Sequence, residues 1–374
     1  MEYTKIKNIN EYVSESVSPM NTPEQIFEMY SVPIYSTGHP EYLHGNEIAS
    51  NKVKVRKNDV LLCKINPRIN RVWIVADESA YPCIASSEWI VIRNSEYNPE
   101  FLAWYFRSPK FKQLMTSEVT GIGGSLTRAQ PKAVAEYPVP VIERQEQDVI
   151  TEILNKIYNI IDARRREINI LDDLIKARFV EMFGSYPENE KGWETGTIRD
   201  LVTDVRYGSS RKAAEGNQGK YRYLRMNNIT YSGELDLTDV KTIDIPDQEL
   251  DKCAVRKGDL LFNRTNSKEL VGKTCVYDRD EQMVLAGFVI RVRLNDRALP
   301  EFVSAFLNTD FSKAMLLAKC KTAVGQANIN AQEFQNIGIY VPPIEFQKEF
   351  VSFKKQVNKS KVAAQIFIEE AEKI

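Results

Sequence analysis

The sequence predicts an α+β fold in which two tandem domains of mixed α/β type are joined by two long helices that form an antiparallel coiled coil. Three observations predict it. Residues 55–67 (VRKNDVLLCKINP) and 255–267 (VRKGDLLFNRTNS) repeat one phrase 200 positions apart. Six of its thirteen positions are identical, where ordinary composition gives about one match by chance. The segments around the phrase recur in the same order in both halves, as a tandem duplication requires. Each half then ends in a tail without Gly or Pro whose apolar residues follow a heptad.

Each element of the repeat reads in turn. YTKIKNINEYV (3–13) and WETGTIRDLV (193–202) open the halves as short alternating segments. The doubled phrase reads as a turn holding Asp59 or Asp259, followed by a strand. VWIVADE (72–78) answers TCVYDRD (274–280), and SSEWIVIR (86–93) answers AGFVIRVR (286–293), all β-branched or aromatic and therefore strands. PEFLAWYFRSPKF (99–111) and PEFVSAFLNTDF (300–311) have the Pro-Glu start and apolar spacing of amphipathic helices. Gly-rich loops follow, TGIGGSLTRAQ (120–130) and TAVGQANINAQ (322–332), and each half closes on a strand and a Pro-stopped phrase, YPVPVIERQEQ or IYVPPIEFQKE.

In the first tail the stripe runs through Ile150, Leu154, Ile157, Ile161, Ile168, Leu171, Ile175 and Met182, with Arg164 and Arg178 in seam positions. The second runs through Phe350, Phe353, Val357, Ser360, Ala364, Phe367, Ala371 and Ile374. A 36-residue helix extends about 54 Å, more than is needed to cap a domain, so the two stripes are expected to pair with each other rather than pack only within each half. The expected boundaries are a first domain over 1–147, a first long helix over 148–183, a linker at GSYPENEKG (184–192), a second domain over 193–347 and a second long helix over 348–374. Aligning Gln145 with Gln347 places Ile374 opposite Asp172, so the second helix is expected to stop about eleven residues short of Phe183.

Composition narrows the function. The chain has 374 residues, a formal net charge of −1 and no apolar run of membrane-spanning length. With no charged-then-apolar leader at Met1, the expected compartment is the cytoplasm. Five scattered cysteines suggest neither disulfides nor a zinc knuckle. His39 and His44, the only histidines, lack a matching Cys or carboxylate cluster, which favours a plain surface loop over a metal pair. No phosphate-binding GxxxxGK[ST] loop, dinucleotide GxGxxG or methyltransferase Asn-Pro-Pro-aromatic phrase is present; Asn98-Pro99-Glu100-Phe101 is a repeated helix start.

Binding chemistry is richer. Residues 52–71 carry seven Lys or Arg against Asp59, and 206–229 carry six against Glu215, mixed with Asn, Gln, Ser and Tyr. That donor set suits phosphates and purine edges. The Gly-rich loops add Ser125, Thr127 and Arg128 in the first half and Gln326, Asn328 and Asn330 in the second. A solvated charged face is the plainer explanation for either segment alone, but the pairing across both halves favours nucleic acid.

This constellation resembles the specificity (S) subunits of type I DNA restriction-modification systems. The likeness covers essentially the whole chain and rests on the order domain, long helix, domain, long helix. It also rests on VPVIERQEQ and VPPIEFQKE at the helix entries, and on GKYRYLRMNNI, VRKGDLLFNRTNS and VKVRKNDVLLCKINPRI in the domains. It implies two target recognition domains, each reading one half of a bipartite double-stranded DNA target in the major groove. It implies helices that set the spacer and dock two methyltransferase (M) subunits. S-adenosylmethionine, and ATP and Mg where restriction (R) subunits join, would belong to those partners, leaving no cofactor, metal or catalytic residue in this chain.

The candidate DNA contacts are Lys64, Asn66, Arg68, Arg71, Thr127 and Arg128 in the first domain. In the second they are Ser210, Arg211, Lys212, Arg225, Asn227, Arg264, Asn266 and Asn328. The candidate interface of the helix pair falls on Leu154, Ile161, Ile168, Leu171, Ile175, Phe353, Val357 and Phe367. The rival readings are a standalone restriction nuclease or methyltransferase with fused recognition domains, and a scaffold that binds only protein.

Overall fold

The protein is described by a computed structural model that covers residues 2–76, 79–117, 119–120, 127–267, 270, 272–319, 321–323 and 326–373. They fall into two units, Met1–Ile160 and Ile161–Ile374. In the first, the Val60–Cys63 strand of the doubled phrase lies between Val72–Ile74 and Trp89–Ile92, antiparallel to both. A five-stranded sheet beside it holds Cys83–Ala85 parallel to Ile26–Tyr30. The second unit repeats this frame: Leu260–Asn263 lies between Thr274–Val276 and Val289–Leu294, and Met283–Leu285 runs parallel to Tyr221–Leu224.

The phrase has no polar face because its strand is covered on both sides. Side chains of a strand alternate between faces, so Val60 and Leu62 join the core that contains Phe101, Leu102 and Phe106. Leu61 and Cys63 join the opposite core of Tyr30, Trp73 and Trp89. Likewise Leu260 and Phe262 pack with Phe302 and Phe306, and Leu261 with Leu224 and Leu285. Full burial of each such side chain is worth about 1.5–3 kcal/mol.

The preceding turn is locked twice by the same chemistry. Asn58 and Gly258 occupy its left-handed position, with φ +71° and +92°, which those two residue types tolerate best. Asp59, 1% exposed, accepts the Arg56 N–H at 2.8 Å and both arms of the Arg93 guanidinium at 2.7 Å. Asp259 does the same with the Arg256 N–H and with Arg293, at 2.8 and 3.4 Å. These contacts raise the affinity of both arginines for their protons.

A second duplicated lock sits where each long helix begins. Gln147 accepts the Asn98 N–H and donates to the Ile142 carbonyl, at 2.8 and 2.7 Å. Gln347 accepts the Leu299 N–H and donates to the carbonyls of Arg297 and Pro342. The equivalent of Gln347 is therefore Gln147, not Gln145, because only Gln147 makes the buried contacts that fix the helix entry.

Three local expectations change. The segments 99–111 and 300–311 are each the start of two helices, Pro99–Arg107 with Pro109–Ser117 and Pro300–Leu307 with Asp310–Lys319. Pro109 keeps Ser108 extended (ψ 149°). The Gly-rich loops are hairpins, Val119–Thr120 with Arg128–Ala129 and Lys321–Ala323 with Gln326–Asn328; residues 121–126 and 324–325 lie outside the described residues. The 184–192 segment, expected as a linker, is bonded to its own unit: the Trp193 indole donates to the Phe183 carbonyl and Tyr340 to the Gly184 carbonyl.

The long helices are Arg144–Phe183 and Ile344–Ala371, 40 and 28 residues, so each starts about four residues before the heptad reading placed it. Within the second unit they run antiparallel, as the ion pairs Arg165–Glu372, Asp172–Lys361 and Arg178–Glu349 require. Ile161 and Val357 are buried, Ile168, Leu171, Ile175 and Phe353 half-buried, and Phe367 exposed. The two seam arginines lie over phenylalanines of the other helix, Arg164 over Phe367 and Arg178 over Phe353, as cation–π contacts. Leu154 belongs to the first unit and is half-buried there. Further along the first long helix, Phe179 and Phe183 sink into the second domain's core against Phe302 and Phe350.

Lys361 is buried and bridges Asp172 at 2.6 Å and Glu234 at 2.7 Å. Burial acts to lower its pKa, but the two carboxylates outweigh it and the net direction is up.

Asp59→Asn removes the charge that compensates Arg93 inside the protein. The expected cost is about 3–5 kcal/mol to the first domain, seen as a lowered urea midpoint; an unchanged midpoint contradicts the lock.

Candidate nucleic-acid interface

In the first domain the doubled strand leaves its sheet at Lys64 and runs along the hairpin. The Ala129 N–H donates to the Lys64 carbonyl at 2.9 Å, Ile65 bridges Arg128, and the Asn66 N–H donates to the Thr127 carbonyl at 2.8 Å. Asn66 and Asn70, both left-handed, bracket the Pro67–Ile69 turn that exposes Arg68. The Asn70 side chain ties this turn to the Phe106 carbonyl. Lys64, Asn66, Arg68, Arg71, Thr127 and Arg128 therefore share one loop cluster, although about 60 positions separate its two segments.

The second domain builds the same crossing. The Ile329 N–H donates to the Arg264 carbonyl at 2.9 Å, Thr265 pairs with Asn328 and Asn266 with Ala327. The offset is again 200, which makes Asn328 the counterpart of Arg128. Asn328 is exposed. Asn330 instead caps the Ala331–Gln335 helix, accepting from the N–H groups of Gln332 and Glu333. The Arg264 guanidinium lies 4.9 Å from the Tyr207 ring centroid.

Two more candidate segments meet this crossing at the Ala286–Gly287 turn. The Ser209 N–H donates to the Leu285 carbonyl and the Gly287 N–H to the Ser209 carbonyl, at 2.6 and 2.7 Å. Gly208 must be glycine here, since a Cβ would stand 2.3 Å from the carbonyl oxygens of Leu285 and Ala286. Exposed Ser210, Arg211 and Lys212 follow. From the other side the Ala286 N–H donates to the Leu224 carbonyl at 2.9 Å, next to Arg225. Asn227 is exposed, while Asn228 points inward to the carbonyls of Asp236 and Asp239.

Charge divides the candidates in a way that residue type did not reveal. Arg128 forks onto Glu88 at 3.2 Å, Arg211 onto Glu249 at 3.0 and 2.6 Å, and Arg225 reaches Asp239 at 2.9 Å. Arg211 holds the Glu249 carboxyl below its usual range, and Arg225 with Lys241 does so for Asp239. Among the described residues no ion pair engages Lys64, Arg68, Arg71, Lys212 or Arg264. Thr127 is 8% exposed, so its part is to support Asn66. Ser125 and the Gln326 side chain lie outside the described residues. The carboxylates Glu88, Asp239 and Glu249 were absent from the expected site, and their sequence distances from the arginines, 40, 14 and 38 positions, carry no motif.

Behind the second crossing stand two lysines that, among the described residues, pair with no carboxylate. Lys273 donates to the Met226 carbonyl and Lys313 to the Gly272 carbonyl, both at 2.8 Å. Burial, with Lys273 close by, pushes Lys313 down to about 7. Among the described residues no group of three or more His, Cys, Asp or Glu could hold a metal ion. The His44 ring stands 3.3 Å from the Glu24 carbonyl. No described helix is long and apolar enough to cross a membrane.

Comparison with known proteins agrees with this geometry. Residues 190–366 match the model of the type I restriction modification DNA specificity domain. The EcoKI specificity subunit of Escherichia coli K12 is 22% identical over 272 residues, 69% of this chain and 58% of that protein. The MjaVIII specificity subunit of Methanocaldococcus jannaschii is 23% identical over 383 aligned positions, 96% of this chain and 86% of that protein. A solved chain from a study of complex assembly and conformational transition in the type I restriction-modification system superposes with a TM-score of 0.60. That match has 19% identity and covers 100% of this chain and 94% of the other, so the fold is shared.

The unfolded chain holds a proton on Lys313 up to its usual 10.5, whereas the folded chain gives it up near 7. The penalty is full below pH 7 and fades as pH rises toward 10.5. Lys313→Met is therefore expected to raise the urea midpoint of the second domain more at pH 6 than at pH 9; an equal or opposite change contradicts the burial.

Proposed function

The chain belongs to the family of type I restriction-modification specificity subunits, and on that premise we propose that it is the DNA-reading subunit of such a complex. Each domain reads one half of a bipartite double-stranded target in the major groove. The observation that carries this reading is the duplicated crossing. A matching backbone crossing presents Lys64, Asn66 and Arg128 in one domain and Arg264, Asn266 and Asn328 in the other. One frame with two different donor sets is what a reader of two different half-sites needs, because Arg or Lys suits guanine and Asn suits adenine.

The paired arginines fit the same reading. A guanidinium held by a surface carboxylate is pre-positioned, and a guanine edge or a phosphate replaces the carboxylate when DNA arrives. Chemistry on the DNA is assigned to partners. Two methyltransferase subunits would bring S-adenosylmethionine, and restriction subunits, where present, ATP and Mg. The first long helix spans about 60 Å at 1.5 Å per residue. Along it Val149, Ile153 and Ile160 in the first unit, and Ile170 and Leu174 in the second, are exposed, apolar side chains suited to docking those subunits while the helices set the spacer.

A gel-shift salt series with random duplex tests the proposal. Arg68→Ala and Arg71→Ala are expected to weaken binding equally on all sequences, each lowering the slope of log affinity against log salt by about 0.9. Arg225→Ala is expected to cost about 1–3 kcal/mol on the cognate duplex and little elsewhere. A chain whose DNA affinity does not fall with salt is a protein scaffold, and the proposal is wrong. Magnesium-dependent cleavage by the purified chain would instead establish the standalone nuclease.

A further inference from the structure

Phe288 combines two properties that conflict in a folded protein: it is held rigidly and it is exposed. The residue is 52% exposed, while the next one, Val289, is fully buried in the strand that follows. The turn that carries it is pinned on three sides. Leu224 holds the Ala286 N–H, Ser209 holds the Gly287 N–H, and the Phe288 carbonyl accepts the Arg264 N–H at 3.0 Å. The three segments that pin it lead into the candidate DNA contacts Arg225, Ser210–Lys212 and Arg264, so the turn carrying Phe288 joins the segments that bear the second domain's donor groups.

The duplication supplies an internal comparison. The Lys64 N–H donates to the Glu88 carbonyl at 3.0 Å, as the Arg264 N–H does to Phe288. Position 288 thus corresponds to position 88, where the first domain carries a carboxylate forked by Arg128. The second domain has replaced an ion pair with an exposed ring and Asn328. In place of a polar group it presents an apolar surface beside Arg264, whose guanidinium no described carboxylate neutralises.

The only apolar feature that distinguishes base pairs in the major groove is the C5 methyl group of thymine. We propose that Phe288 reads a thymine methyl in the half-site taken by the second domain, beside a base contacted by Arg264. This rests on the DNA-reading function proposed above and assigns a base preference to a residue outside the basic and amide donors.

The test uses the full chain assembled with its methyltransferase partner. A randomised duplex library first gives the preferred two-part sequence; each thymine of the second half-site is then replaced by deoxyuridine, which removes only the methyl group. Wild type is expected to lose about four-fold in affinity at one of these positions, the value of burying one methyl. Phe288→Ala is expected to bind the thymine and uridine duplexes equally there, keeping its preference in the other half-site. Phe288→Leu, still apolar, should retain part of the discrimination.

Wild type indifferent to every methyl removal, or Phe288→Ala with the wild-type discrimination, overturns the assignment while the DNA-reading function stands. Loss of complex assembly in Phe288→Ala with base preference intact makes the ring a protein contact and also overturns it. If no preferred sequence emerges for wild type, the DNA-reading function itself fails and the assignment with it.

Discussion

Each domain hangs its candidate interface loop on one ion pair to a buried aspartate, Asp59 with Arg93 and Asp259 with Arg293. A carboxylate taken out of water is costly unless a cation and backbone N–H groups replace its hydration. Both aspartates meet that demand with one backbone donor and a two-armed arginine from the neighbouring strand. The lock fixes where the central strand enters the sheet, and four residues later the strand leaves it at Lys64 or Arg264. Gln147 and Gln347 fix the other end of the frame, tying the start of each long helix to the loop before the amphipathic helix.

On this constant frame the variable chemistry is confined to few positions. The crossing at 64–66 and 127–129 is backbone to backbone, so the side chains at 64, 88 and 128 can change without disturbing the fold, whereas left-handed Asn66 favours its own residue type. The counterparts at 264, 288 and 328 have changed, and the asparagine is shared by 66 and 266. Carboxylates near several arginines hold them in place without consuming them, since an exposed ion pair is readily exchanged.

Much of this was legible in the sequence because duplication doubles every signal. The VRK-x-D phrase marked the turn, its strand and its aspartate, and heptad spacing marked two helices with arginines in the seam. The loop residues Lys64, Asn66 and Arg128, and Arg264, Asn266 and Asn328, were named as two groups, and the fold brings each group together. What stayed hidden depends on distance in space. Nothing in the sequence near Arg128 or Arg211 announces Glu88 or Glu249, and the burial of Thr127 follows from a hairpin pairing read as a loop. The glutamine repeat was set at Gln145 because two glutamines lie two positions apart, and only the hydrogen bonds of Gln147 distinguish them. Phe288 escaped because an aromatic in a strand phrase is ordinarily core, and its exposure comes from a turn held by three other segments.

The central claim is that two domains of one chain direct a complex to the two halves of one DNA target. Mapping methylated adenines across the genome of the source cell, with and without this chain, tests it most directly. The expected result is methylation at a two-part sequence with a fixed gap that disappears when the chain is deleted. Methylation that survives the deletion unchanged, or that follows a single uninterrupted sequence, would contradict the account.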